Sequence, residues 1–146
     1  MQITRRTLDR ADVDSVATLF VDVFNAPPWS DGWTPDGARE RLNGFLDSPL
    51  SFGVVFLEGS APLAFALGYV ERWIGASHFH LKEMCVARTR QHTGLGTELL
   101  EFLVAQLRER RVEQIFCETR PGTAADAFYR KAGFRQLNLV SLATKL

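Results

Sequence analysis

Between Phe79 and Thr119 the chain passes from an apolar strand through a glycine-bearing turn into an amphipathic helix and back to a short apolar strand. A strand, helix, strand passage of this kind folds as a parallel pair joined by a right-handed crossover, so it constrains the topology more than any other segment. The spacing predicts strands over Phe79–Ala87 and Ile115–Thr119. Between them it predicts a helix from about Gly94 to Arg111 whose inward face is Leu95, Leu99, Phe102, Leu103 and Leu107. The turn is a seat for an anion. Gly94 and Gly96 let the backbone approach a phosphate, and the first helical N–H groups and the helix dipole favour negative charge there.

The flanking sequence supplies the other elements. Ile3–Leu8 reads as a strand, and Asp9 can cap a helix with Val13, Val16, Leu19, Phe20, Val23 and Phe24 on one face. The loop PPWSDGW follows. Thr34-Pro35 opens a second helix bearing Ala38, Leu42, Phe45 and Leu46, and Pro49 closes it. Ser51–Leu57 and Leu63–Trp73 form a hairpin about Glu58-Gly59-Ser60. Thr123 with Asp126 makes a capping box for a helix ending at Gly133, and Phe134–Leu146 reads as strand material. This order gives a mixed α/β domain.

With 146 residues and 46% hydrophobic content, the chain is expected to be one domain, 1–146. Seventeen basic and seventeen acidic residues cancel without a basic run, which argues against nucleic acid as a partner. The longest apolar stretch, near Ala61–Val70, is too short to span a bilayer, and MQITRRTLD lacks a signal-peptide core. A cytoplasmic protein without a membrane partner is expected, and a homodimer is left open. Cys85 and Cys117 have no metal or redox spacing and are read as reduced core thiols.

Which phosphate ligand would the glycines serve? A P-loop needs Lys and then Ser/Thr after its last glycine, whereas Thr97 and Glu98 follow Gly96. A dinucleotide fingerprint needs a third small residue where Leu99 stands. The pattern that fits is Gln91, two residues, Gly94, one residue, Gly96, and it resembles the pyrophosphate motif of the GNAT superfamily of acyl-CoA-dependent N-acetyltransferases. A second motif of that family is matched by Ala125, Phe128, Tyr129, Lys131, Gly133 and Phe134. Gly122 stands where the family often has a cofactor-contacting Asn.

The resemblance implies a GNAT-like fold: a central, mostly antiparallel sheet with one parallel pair splayed at the cofactor, and helices on both faces. It implies acetyl-CoA as co-substrate, with Gln91, His92, Thr93, Gly94, Leu95, Gly96 and Thr97 at the pyrophosphate. Arg88 and Arg90 would add charge, and the main chain of Cys85 and Val86 would hold the pantetheine arm. A primary amine, with a pKa of about 10.4, must lose a proton before it attacks a thioester. Glu83 is the expected base. Strand alternation would put it on one face with Phe79, Leu81 and Cys85, where partial burial raises a carboxylate pKa; the alternative is that it points to solvent at a bulge or forms a structural ion pair with Arg72, Lys82 or Arg88. The N–H of Val86 could serve a developing oxyanion. Tyr129 would stabilise the leaving thiolate rather than protonate it fully, because a phenol near pKa 10 is a weaker acid than a thiol near 8.5; alternatively it is a core aromatic.

The acceptor is expected to be a small cationic amine, aminoglycoside- or polyamine-like, held by Trp29, Asp31, Trp33, Tyr69 and Glu71, with Pro27, Pro28 and Trp73 nearby. Trp29 and Trp33 could equally plug the loop onto the core. His78 and His80 are alternate residues on one strand face that could seed a metal site or act as an alternative base, but two ligands make no metal site; a surface or acceptor-site role is expected for them, and no metal. Two other functions fit the same motifs: peptide or protein N-acetylation, and a non-catalytic acetyl-CoA sensor.

Overall fold

The computed structural model describes residues 2–146. Its elements are β1 (Ile3–Thr7), a 3-10 turn (Arg10–Asp12), α1 (Val13–Phe24), α2 (Pro35–Leu46), β2 (Ser51–Glu58), β3 (Ala61–Trp73), β4 (Ala76–Val86), a second 3-10 turn (Arg88–Arg90), α3 (Leu95–Glu109), β5 (Val112–Cys117) and α4 (Ala124–Lys131). The sheet order is β1-β2-β3-β4-β5. Every neighbouring pair is antiparallel except β4 and β5, which are parallel. The crossover expected between Phe79 and Thr119 is therefore present, with α3 as its helix.

Local chemistry explains the helix starts. The Thr34 hydroxyl accepts from the Gly37 N–H at 3.0 Å with Pro35 at the first helical position. Asp9 caps the 3-10 turn that precedes α1, and the Asp12 carboxylate answers by accepting from the Asp9 N–H at 2.9 Å. At α4 the box closes differently: Thr123 accepts from the Asp126 N–H, but Asp126 takes the N–H of Gly122.

Two apolar layers cover the sheet. On one face Val16, Phe20 and Val23 of α1 and Ala38 and Leu42 of α2 pack on Val55, Phe65, Leu67 and Cys85. On the other, Leu95, Leu99, Leu103 and Leu107 of α3 pack on Phe56, Ala64, Ala66, Phe79 and Leu81, with Phe128 and Tyr129 of α4 at the margin.

The register of β3 on β4 runs Leu67↔Glu83 and then Gly68↔Leu81, which leaves Lys82 as an extra residue in a bulge. The bulge overturns one expectation. Phe79 and Leu81 pack against α3, whereas Cys85 packs in the layer under α1 and α2, so Glu83 does not share a face with Phe79 and Leu81. Gly68 makes the bulge feasible, since a Cβ there would lie 2.0 Å from the carbonyl oxygen of His80.

A second correction concerns the C-terminus. Residues 135–146 form no strand, and Leu139, Val140 and Leu142 are exposed. Strand-forming side chains do not make a strand without a backbone partner to pair with. β5 also begins and ends earlier than expected, because its ladder on β4 runs from Ser77↔Val112 to Leu81↔Cys117.

Candidate active site

The ladder of β4 with β3 continues to Ala64↔Val86, five residues beyond its last pairing with β5. The two parallel strands part there. The Ala87 N–H donates to the Leu63 carbonyl at 2.7 Å, so antiparallel alternation turns the main-chain groups of Val86 and Met84 toward the open side and those of Cys85 toward β3. Of the two residues expected to act through main chain, Val86 has the orientation for it, and Met84 joins it in place of Cys85.

Beyond Val86 the chain enters the glycine turn. Gly94 is the N-cap of α3 with φ of 89°, a left-handed conformation that side chains disfavour, and no side chain caps the helix. His92 is also left-handed, with φ of 61°. The N–H groups of Leu95, Gly96 and Thr97 therefore have no intrahelical acceptor at the positive end of a fifteen-residue helix. The loop is held by side chains: Gln91 donates to the Val86 carbonyl at 3.1 Å, and Thr93 to the Arg90 carbonyl at 2.5 Å. Arg90 pairs with Glu58 at 2.9 Å and Arg88 lies 3.9 Å from Asp22, so both arginines are already balanced by acids. A methyl group on Gly96 would only touch Phe128 and Val86 at 3.6 Å, consistent with a motif position that accepts glycine or alanine.

Where β4 and β5 diverge, a cleft of about 360 Å³ is lined by Trp29, Glu83, Met84, Cys117, Thr119 and Tyr129, among others. Glu83 and Tyr129 thus share one cleft. The Glu83 side chain is 8% exposed, and its Oε1 accepts from Arg41 Nε at 2.5 Å. Burial pushes its carboxyl above the usual range, the Arg41 guanidinium and Lys82 pull it back, and Asp31 adds to the rise. None of Arg72, Lys82 and Arg88 makes the pair. Arg41 also lies over the rings of Trp33 and Phe45, at 5.6 and 5.3 Å. It was missed in the sequence, yet it left a signal: Ala38, Leu42 and Phe45 place Arg41 on the inward side of α2.

Tyr129 donates to the Met84 sulfur at 3.7 Å and packs against Phe128 and Phe134. Burial, aided by nearby Cys117 and Glu83, pushes its hydroxyl well above the ordinary phenol range. It stays a donor at neutral pH. Burial likewise raises Cys117 to about 11 and Cys85 well above the ordinary thiol range, so both remain thiols.

The residues expected at the acceptor fall into two groups. Trp29 lines the cleft and packs tilted against Phe24 at 5.9 Å between ring centroids. Trp33 rests edge-on against Phe20 at 5.1 Å and donates through its ring N–H to Asp31 at 3.3 Å, so it holds the loop to the core. Tyr69 and Glu71 lie elsewhere: Tyr69 stacks on His80 at 4.8 Å, Glu71 meets His80 Nε2 at 3.2 Å, and Phe116 stacks on the same imidazole. Among the described residues no group of three or more metal-capable side chains converges, and no helix is long and apolar enough to cross a membrane.

A sequence model described as the acetyltransferase (GNAT) family matches residues 15–134. No curated protein matches the chain. Among solved structures, a possible acetyltransferase from Clostridium difficile 630 aligns with a TM-score of 0.84 at 11% identity, covering 100% of this chain and 99% of that one. An aminoglycoside acetyltransferase from an uncultured soil metagenomic sample, in complex with sisomicin, aligns at 0.78 and 16% identity, covering 99% and 96%. An aminoglycoside N-acetyltransferase, AAC(6')-Iy in complex with CoA, aligns at 0.77 and 13%, covering 99% and 95%. At these identities the likeness is one of fold. The family match over most of the chain carries the assignment, and the chain belongs to the acetyltransferase (GNAT) family.

Proposed function

We propose that the chain is an acyl-CoA-dependent N-acetyltransferase that moves the acetyl group of acetyl-CoA to a primary amine of a small cationic, aminoglycoside- or polyamine-like molecule. The observation that carries this reading is the joining of a buried carboxylate and a half-buried phenol in one cleft at the point where β4 and β5 separate, near an uncapped helix start. The aminoglycoside acetyltransferases of like fold lend support to the acceptor class.

Acetyl-CoA would supply an activated thioester. The N–H groups of Gly94, Leu95, Gly96 and Thr97 would hold its diphosphate, and the outward main chain of Met84 and Val86 would align the pantetheine arm as an added strand. The chain's residues fit that ligand: the donors are main-chain, they lie at the positive end of α3, and no side chain caps them.

Glu83 accepts the proton that an ammonium must lose, and its burial-raised pKa brings it nearer to that task than an exposed carboxylate. The Val86 N–H, turned away from β3, would donate to the developing oxyanion. Tyr129 donates a hydrogen bond to the departing sulfur while keeping its own proton, as the upward shift of its pKa requires. Trp29 and Asp31 offer an aromatic surface and a negative charge for a cationic acceptor.

A thiol-release assay with acetyl-CoA across polyamines, aminoglycosides, amino acids and short peptides tests this. Release with a polycationic amine, dependent on Glu83, is the expected result. Tight CoA binding without release on any amine would overturn catalysis in favour of a sensor, and release on peptides alone would overturn the acceptor class.

A further inference from the structure

The Tyr129 hydroxyl already has a sulfur partner. It donates to the Met84 sulfur at 3.7 Å, in the cleft that both residues line. Both residues are half-buried and lie at the margin of the layer under α3, with Cys117 and Phe134. On the reading given above, this same hydroxyl donates to the departing sulfur of coenzyme A. In the free chain, then, a thioether holds the donor that a second sulfur must take during the reaction. A neutral thioether is a weak acceptor and yields easily to an anion.

Oxidation would reverse that order. A methionine sulfur takes one oxygen atom from hydrogen peroxide: an S–O bond forms at Sδ, the O–O bond breaks, the thioether is oxidised to a sulfoxide, and the peroxide is reduced to water. The product is polar and accepts through its oxygen. Three rotatable bonds let the Met84 side chain turn that oxygen to the phenol, where an O–H···O bond of about 2.7 Å would replace the long contact to sulfur. A hydroxyl captured in this way is not free for the leaving group. Access to the sulfur is open, since Met84 lines a cleft of about 360 Å³. The neighbouring thiols are poorer targets, because burial keeps Cys85 and Cys117 protonated and the thiolate is the reactive form. Met1 and Met84 are the two methionines of the chain, so inside the folded domain this chemistry has one address.

We propose that Met84 is a reversible oxidation site for peroxides, and that its sulfoxide draws the Tyr129 hydroxyl away from the leaving sulfur and so slows acetyl transfer. The inference rests on the assignment of Tyr129 to the leaving group; Met84 acts through Tyr129, as a positioning residue.

Treating the full chain with hydrogen peroxide, and then removing the oxidant, tests it. Peptide mass spectrometry should find one added oxygen on the peptide that holds Met84. In a chain carrying ¹³C-labelled tyrosine, the Tyr129 Cζ resonance should move on oxidation, with Tyr69, the other tyrosine of the chain, as internal reference. The kcat should fall by ~10-fold or more, as expected for loss of the Tyr129 hydrogen bond, while the KM for acetyl-CoA stays within about twofold. Methionine sulfoxide reductases A and B together should restore it, and dithiothreitol should not. Met84→Leu should lose less than ~5-fold in kcat, since one weak hydrogen bond goes, and its remaining turnover should be indifferent to peroxide.

Complete oxidation of Met84 with kcat unchanged overturns the proposal, and so does an unmoved Tyr129 resonance. A loss that dithiothreitol restores, or that is equally large in Met84→Leu, also overturns it by placing the damage at a cysteine. Reductase rescue of the wild-type chain decides even where Met84→Leu does not fold. The added oxygen and the resonance are read without turnover, so the two readings fail separately. A chain that shows both signals but acetylates no amine would overturn the catalytic reading and leave the oxidation site standing, whereas one that acetylates amines but shows neither would do the reverse.

Discussion

The two ends of the cleft are built from different materials. Toward α3 the structure offers main chain: outward groups of Met84 and Val86, and uncapped N–H groups at Leu95, Gly96 and Thr97. Toward α1 and α2 it offers side chains: Glu83 held by Arg41, Arg41 over the rings of Trp33 and Phe45, and Trp29 in the lining. A main-chain site depends on backbone conformation, so it tolerates most substitutions except at the few residues that permit that conformation. A side-chain site depends on pairs of residues distant in sequence, and each pair can be broken singly. On the proposed reading the first would hold the cofactor and the second the acceptor.

The sharpest way to separate the two ends is Glu83→Gln. It should lower kcat/KM by ~10²–10⁴-fold, the range for losing a general base, while the CoA dissociation constant measured by calorimetry stays within about twofold. Equal losses in both would mean that Glu83 serves the fold or the cofactor. Next in size is Tyr129→Phe, which removes one hydrogen bond to a charged leaving group and should reduce kcat by ~10–100-fold with unchanged CoA binding. Pre-steady-state thiol release would read it.

Gly94→Ala probes the opposite end. Forcing a side chain into φ of 89° costs roughly 1–2 kcal/mol, so CoA binding should weaken by about tenfold while kcat at saturation holds. A fall in kcat with intact binding would erase the contrast between the ends.

The smallest effect at neutral pH is expected from Arg41→Met, and it is read from the pH dependence. Arg41 stabilises the ionised form of Glu83; without it, burial acts unopposed except by Lys82. The carboxyl pKa then rises further, so the acid limb of the kcat/KM profile moves to higher pH and Arg41→Lys restores it in part. Loss of Arg41 that leaves the limb in place would show that the ion pair only holds α2 to the sheet.

The difference between the ends also accounts for what could be read from the sequence. Elements with local causes were legible: Thr34 and Pro35 start α2, Asp9 leads into α1, and Gln91, Gly94 and Gly96 mark the turn. Glu83 was legible as a residue but not in its surroundings. Its partner Arg41 lies 42 positions away, and the bulge at Lys82, which puts Phe79 and Leu81 on the other face, depends on Gly68 of the neighbouring strand. The same holds for the tail, whose residues carry strand propensity while pairing depends on a partner that propensity does not specify.

The central claim is that main-chain amides at the start of α3 grip the diphosphate of coenzyme A. Titrating the ¹⁵N-labelled chain with CoA and following backbone amide resonances tests it directly. The account predicts saturable shifts that are largest at Gly94, Leu95, Gly96 and Thr97, with smaller ones at Met84 and Val86. Saturation with those amides unmoved, or no binding at all, would contradict it.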